Sequence, residues 1–311
     1  MMRAADLGVS LPALPVDRSY SPDYGVAVEV APGIRRVLAR NPNPFTFHGT
    51  GTYIVGRGKV AVIDPGPALD DHVKAILEAT RGETISHILV THTHNDHAPA
   101  AAPLKAATGA VVMGCGPHGS GRHADGVDVE EGGDRSYVPD VQLADGERVT
   151  VGDLDFEAVH TPGHTSNHVC FSVSGAAAFF PGDHVMGWST TVIAPPDGDM
   201  ADYLRSLEKL LALPEFPYYP THGNPIAQPH DFVRALIAHR HAREAQIEAC
   251  LVRGLVTIAE MVPVIYSEVD SRLHPAASRS VLAHLQHMVA TGRVACEGIA
   301  GAASRYRRAS G

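Results

Sequence analysis

Residues 92–97 read His-Thr-His-Asn-Asp-His, which puts three imidazoles and a carboxylate within six positions. An apolar run, Ile88-Leu89-Val90, leads straight into them. Imidazole and carboxylate groups are metal donors. A lone histidine after a strand is more often a packed core residue. Four such groups crowded at the end of a buried strand have no comparable structural role, so the stretch points to a metal site. Three more residues share its setting. His164 lies in Thr161-Pro162-Gly163-His164-Thr165, Asp183 in Pro181-Gly182-Asp183, and His222 in Pro220-Thr221-His222-Gly223. Each follows an apolar segment and sits on a turn shaped by Gly or Pro. Loops at strand ends are where a scaffold presents reactive groups.

These seven donors, His92, His94, Asp96, His97, His164, Asp183 and His222, exceed the needs of one catalytic zinc, which takes three protein ligands plus water. They suit two metals. His92, His94 and His164 would hold the first, Asp96, His97 and His222 the second, and Asp183 would bridge. All-nitrogen and oxygen ligation fits two zinc ions, with iron or manganese as alternatives. His118 and His123 fall in the Gly-, His- and acid-rich stretch 114–140, which reads as a long irregular loop, and they are taken as solvated surface rather than ligands.

The elements that must position these residues are legible in the periodicity. Val26–Val30, Ile34–Ala39, Thr52–Val55 and Val60–Asp64 read as strands, followed by a helix over Leu69–Thr80 that Gly82 closes. Ile88–Val90 is a strand, Ala98–Thr108 a helix and Ala110–Met113 a strand. Glu147–Val151, Leu154–Val159, Val169–Val173 and Ala177–Phe180 form a meander, and Asp199 caps a helix over Met200–Leu213. That order implies a layered α/β domain. Near residue 230 the character changes. A helix over Asp231–Arg253, a capping box at Thr257 and Glu260, a helix opening at Pro275 and a strand over Arg293–Cys296 form the pattern of a winged helix. The organisation expected is an N-terminal arm (1–24, poorly ordered), a catalytic domain (25–229) and a winged-helix-like domain (230–311).

Composition excludes several classes. No window approaches the ~20 apolar residues of a membrane span. Asp6, Pro12, Pro15 and Asp17 interrupt the place where a signal peptide needs an apolar core. Cys115, Cys170, Cys250 and Cys296 are far apart and form no Cys-x-x-Cys pair, which favours a reduced, cytoplasmic setting over a disulfide framework. Net charge is −9, split as −12 over residues 1–230 and +3 over 231–311. The acidic body disfavours non-specific nucleic-acid binding. Arg305, Arg307 and Arg308 read as a short solvated tail.

The residues resemble the metallo-β-lactamase-fold hydrolases. His-x-His-x-Asp-His is present at 92–97, and Pro-Gly-His-Thr, Gly-Asp and His-Gly follow at 162–165, 182–183 and 222–223. An early Asp-x-Gly element appears as Asp64-Pro65-Gly66. The resemblance narrows to the β-lactamase-like-protein-2 group through the segment Asn43–Tyr53 and through His239-Arg240-x-x-Arg243-Glu244. It implies a four-layered αββα sandwich with a small winged-helix-like domain, two zincs between the sheets, and Asp64 as support for a metal-bearing loop. The group includes thioesterases and single-strand RNA endonucleases. Gly51, Ser166-Asn167, His184, Met186, Trp188 and the Thr190–Asp199 loop depart from the usual pattern and are expected near the pocket mouth.

The expected mechanism is attack by a metal-bridging hydroxide on a carbonyl or phosphoryl centre. Asp96 and Asp183 are its catalytic carboxylates, and Asp96 takes the nucleophile's proton. His168, Tyr53 and Trp188 are candidate substrate contacts. A small ester, thioester or lactone is the first substrate reading, acted on by a monomer or homodimer. Single-strand RNA cleavage is the second and β-lactam hydrolysis the third, since the family's dedicated lactamases generally lack an aspartate at the bridging place. A winged-helix regulatory protein reading nucleic acid is the non-enzyme rival. It is disfavoured because Ala276–Ala290 offers little positive charge beyond Arg279.

Overall fold

The computed structural model describes residues 2–19, 21–119 and 132–309. Two sheets stack face to face. The larger holds β1 (Ala27–Ala31), β2 (Ile34–Leu38), β3 (Gly51–Arg57), β4 (Lys59–Ile63), β5 (Thr84–Val90), β6 (Val111–Gly114) and β7 (Val141–Gln142) in sequential order. Its first strands are antiparallel; from β4 onward the pairing is parallel. The smaller sheet holds β8 (Arg148–Val151), β9 (Leu154–His160), β10 (Val169–Val173) and β11 (Ala178–Phe180), all antiparallel. Side chains alternate across each strand, so both faces of the larger sheet are buried in different cores. Tyr53, Val55, Ala61 and Ile63 point between the sheets, toward Phe156, Phe171 and Phe180. Ile54, Val60 and Val62 point outward beneath α1 (Asp70–Ala79) and α2 (Ala101–Thr108). On the far side, Cys170 and Phe179 of the smaller sheet meet Tyr203 and Leu207 of α3 (Met200–Leu211) and Phe232 and Leu236 of α4 (Pro229–Val252). This is the expected αββα order.

The winged-helix module is α5 (Ile258–Ile265), α6 (His274–Ala290) and a two-stranded wing of β12 (Val294–Cys296) and β13 (Tyr306–Arg308), packed on the C-terminal half of α4. Thr257 and Glu260 form the capping box that opens α5. The module has its own core around Ile247, Met261, Val281, Leu285 and Met288.

Several expectations need correction. The Arg305–Arg308 segment is not a loose tail. Tyr306 is buried in the module core and its strand pairs with β12, while Arg307 and Arg308 stay outside. The N-terminal arm is fastened, not loose. Leu7 inserts into the module core, Gln246 donates to the Val9 carbonyl (3.0 Å), and Leu14 and Val16 pack on the core beneath α3. The apolar segment Phe216–Tyr219 before His222, expected as a strand, forms none; Tyr218 makes isolated bridges to Phe179 and Ile226. Within the 114–140 stretch, residues 132–134 are ordered against the His-rich loop, where Gly133 bridges His94 and the Asp134 amide donates to the Thr93 carbonyl. No helix among the described residues is long and apolar enough to cross a membrane.

Candidate metal centre

Strand ends bring the seven donors together. The His92–His97 loop leaves β5, His164 follows β9, Asp183 follows β11, and His222 follows the Tyr218 bridge. The His164 turn requires Gly163. Its φ is +140°, and a Cβ there would lie 2.3 Å from the Tyr203 Cα on α3. Helix α3 therefore seats directly on the turn, and the Asp199 amide at its N-cap donates to the Gly163 carbonyl (2.8 Å).

Three groupings of donors, all buried except the half-buried Asp96, could each hold a metal ion: His92, His94 and His164; His92, His97 and Asp183; and Asp96, His97 and His222. In the first, the Nε2 atoms of His92 and His164 lie 3.0 and 3.1 Å from Nδ1 of His94. In the third, Nε2 of His222 lies 3.1 Å from Asp96 Oδ2, and Nε2 of His97 lies 3.3 Å from it. Asp183 Oδ2 is 3.4 Å from His97 and 3.3 Å from His222, and 3.9 Å from His164 of the first grouping. One carboxylate thus stands between the two sets.

The imidazoles are aimed by their other nitrogens. Nδ1 of His164 faces the Val192 carbonyl (2.7 Å), Nδ1 of His222 faces the Gly49 carbonyl (3.1 Å), and Nδ1 of His97 faces Asp64 Oδ2 (2.9 Å). Each bond fixes a tautomer that leaves Nε2 free to ligate. Asp64 also accepts from the Thr91 amide and hydroxyl (both 2.8 Å) and from Thr221 (3.1 Å). It holds a left-handed φ of +48°, an uncommon state for a non-glycine residue, at the point where three loops meet. Thr50 donates to Asp96 Oδ2 (2.9 Å).

The electrostatics fit a cationic guest. Burial, reinforced by neighbouring imidazoles, holds His92 and His94 well below the usual histidine range, so they are neutral donors. Burial opposes charge on Asp96 and Asp183, yet His97 and His222 beside them hold both carboxyls well below the usual range. Burial likewise opposes charge on His222, but Asp183 and Asp96 raise it to about 10, and His97 is raised in the same way. Without metal, these carboxylates draw protons onto the facing imidazoles. A bound cation would take the protons' place. Oδ1 of Asp183 is buried without a hydrogen-bond partner among the described residues, as expected of an atom reserved for ligation.

Comparison with known proteins agrees with this geometry. The family profile described as metallo-beta-lactamase superfamily matches residues 46–222, more than half of the chain, and that of the beta-lactamase associated winged helix domain matches 257–302. The chain belongs to the metallo-β-lactamase superfamily. It is a metal-dependent hydrolase of that superfamily. The "Beta-lactamase-like protein 2 homolog" of Drosophila melanogaster is 32% identical over 269 residues, covering 83% of this chain and 88% of that protein. The "Atrochrysone carboxyl ACP thioesterase" of Claviceps purpurea is 30% identical, covering 79% and 76%. A crystal structure of a beta-lactamase domain protein from Burkholderia ambifaria superposes with a TM-score of 0.76 at 21% identity, covering 96% of this chain and 97% of that one, which establishes the shared fold.

In this superfamily hydrolase the expected substrate contacts separate. Trp188 lines the pocket over the metal centre, with Phe45, Thr46, Met186 and Val192. Its ring stacks on Phe47 at 4.8 Å. Tyr53 is not a contact. It is 1% exposed, packs on Phe180 and Tyr219, and its hydroxyl donates to the Pro220 carbonyl (2.8 Å). Its place on β3 points it between the sheets. His168 is also withdrawn, stacked behind His92 at 5.1 Å with Nδ1 near the Thr161 hydroxyl (2.9 Å). His118 is not a loose surface residue, because Nδ1 meets the Thr93 hydroxyl at 2.8 Å and its ring lies 6.3 Å from that of His94. His123 lies outside the described residues. Among the departures from the family pattern, Met186, Trp188, Thr190 and Val192 do line the pocket, whereas His184 and Asn167 are buried behind it. Sequence reasoning missed the supporting atoms: Thr50, Thr91 and the carbonyls of Gly49 and Val192. Carbonyls carry no residue-type signal, and threonines are too common to stand out.

Proposed function

We propose that this protein is a dinuclear-metal hydrolase acting on an ester, thioester or lactone carbonyl, with two zinc ions as the resident metals. The observation that carries the reading is the placement of Asp183 between a His92/His94/His164 set and an Asp96/His97/His222 set. Bound there, the metals would lower the pKa of water and stabilise negative charge on the reacting oxygens. The chain supplies the rest. His97, His222 and His164 are held rigidly by Asp64 and by the Gly49 and Val192 carbonyls, so little reorganisation is needed during the reaction. Asp96 is the most exposed of the seven donors and lies on the pocket wall, so it is placed to take the proton of the attacking water. Phe45, Met186 and Trp188 exclude solvent. An acyl substrate is favoured by these apolar walls, by the −12 charge of residues 1–230, and by the thioesterase among the relatives. The same donors would accept iron or manganese. All four cysteines are free thiols, which fits a cytoplasmic setting. The proposed division lies at residues 24/25 and 229/230, the latter at the start of α4.

The test is metal analysis followed by a substrate panel of thioester, lactone, oxyester and single-stranded RNA. About two metals per chain and acyl hydrolysis lost in Asp183→Ala are expected. Asp183→Ala that stays folded, keeps its metal and turns over normally would sink the assignment.

A further inference from the structure

The cavity directly over the metal centre is small. It measures about 50 Å³, well below the ~300–1,000 Å³ of dedicated ligand pockets. Two of its wall residues, Pro44 and Phe45, also line a second cavity of about 500 Å³. That volume falls in the range of dedicated ligand pockets, ~300–1,000 Å³. Its far wall is Leu273, Pro275 and Ala276, where α6 of the winged-helix module begins. The corner between the cavities is stiff. Asn43 Oδ1 accepts from the Phe45 and Thr46 amides (2.7 and 3.1 Å), and the Thr46 hydroxyl donates to the Asn41 carbonyl (2.7 Å). Among the described residues Arg272 is the one cation lining the larger cavity, and Asp270 already engages it through Nε (3.0 Å) and Nη2 (2.6 Å). An apolar, charge-balanced cavity suits a hydrocarbon group and offers nothing to a phosphodiester backbone.

We propose that this second cavity receives the acyl or aryl chain of the substrate, and that Leu273, Pro275 and Ala276 set the chain-length preference. The inference rests on the acyl-hydrolase reading above and deepens it: the substrate is apolar and elongated, reaching from the metal centre across Phe45 to the winged-helix module. The module is then part of the substrate site.

The test uses metal-loaded protein and p-nitrophenyl esters from acetate to octanoate. In the wild type, kcat/KM should rise with length, by up to about fourfold for each methylene buried. Ala276→Trp, which fills the cavity, and Leu273→Asp, which makes it polar, should each cut octanoate turnover by about tenfold or more and leave acetate turnover within about twofold. Calorimetric titration with decanoate gives a readout independent of hydrolysis, with binding expected in the wild type and lost in Ala276→Trp. A flat length series, unchanged in both variants and without decanoate binding, overturns the cavity assignment and leaves the hydrolase reading standing. Decanoate binding that Ala276→Trp abolishes, with no ester hydrolysed at any length, supports the cavity and overturns the hydrolase reading instead.

Discussion

Asp64 shows how one residue organises a metal centre it does not enter. Its carboxylate meets Thr91 before the His92–His97 loop, the His97 ring itself, and Thr221 before His222. Asp64→Asn removes the charge and one acceptor at nearly constant volume. Metal affinity should fall roughly 10- to 100-fold, read by competition with a chelator. His72 is a different kind of buried group. It is 4% exposed, with Nε2 2.8 Å from the Thr52 hydroxyl, and burial lowers its pKa to about 4. In the unfolded chain it titrates near ~6.5. As pH falls below that value the unfolded chain takes the proton first, so stability is full above ~6.5 and declines until about pH 4. The slope from this group is about 1.4 kcal/mol per pH unit. His72→Gln in metal-stripped protein should flatten the pH dependence of urea unfolding over that window. An unchanged slope would mean that His72 is protonated in the folded chain.

At the scale of elements, α4 links the two modules. Arg240 is 3% exposed, donates to the Thr191 carbonyl, and lies over the Tyr203 ring at 5.1 Å. The Thr191 hydroxyl donates in turn to the carbonyl of Asp183 (2.7 Å), and its neighbour Val192 aims His164. A side chain of α4 therefore braces the segment that orients two candidate metal donors. Arg240→Ala leaves the Thr191 carbonyl buried and unpaired, at a cost of roughly 1–3 kcal/mol. It should also weaken metal binding. Arg234→Ala removes an exposed pair with Asp231 on the same helix and should change stability by less than ~1 kcal/mol and metal affinity not at all. Equal effects of the two substitutions on metal binding would refute the brace.

Across the whole molecule, the N-terminal arm ties the modules together from outside. Leu7 enters the winged-helix core, Leu14 and Val16 lie on the α3–α4 core, and Arg18 Nε donates to the Trp188 carbonyl at the pocket (3.1 Å). Burying one such side chain contributes ~1.5–3 kcal/mol. Deleting residues 2–18 should therefore lower Tm by several degrees and reduce substrate affinity, because the Trp188 segment loses its outer support. Thermal unfolding with metal bound, alongside KM, tests both effects. An unaltered Tm would show that the arm only rests on the surface.

The candidate metal donors were legible in the chain because their types are rare outside such sites and their spacing is local. His92 to His97 needs no tertiary contact to be noticed, and the Gly-Pro turns around His164, Asp183 and His222 mark themselves. The strands were legible because both faces of the larger sheet are apolar, and the helices because their caps are local. Exposure was not legible. Tyr53 and Trp188 look alike as candidate contacts, yet strand parity sends one between the sheets while a loop carries the other to the pocket. The arm looked unstructured because its few apolar residues, Leu7, Leu14 and Val16, have no periodicity of their own and gain order only from cores far along the chain. The sequence by itself pointed to the candidate donor set, and its motifs to the hydrolase superfamily. Only the tertiary structure decided how the candidate donors group, what aims them, and that α4 braces the Thr191 segment, because those depend on contacts between residues distant in the chain that no local pattern records.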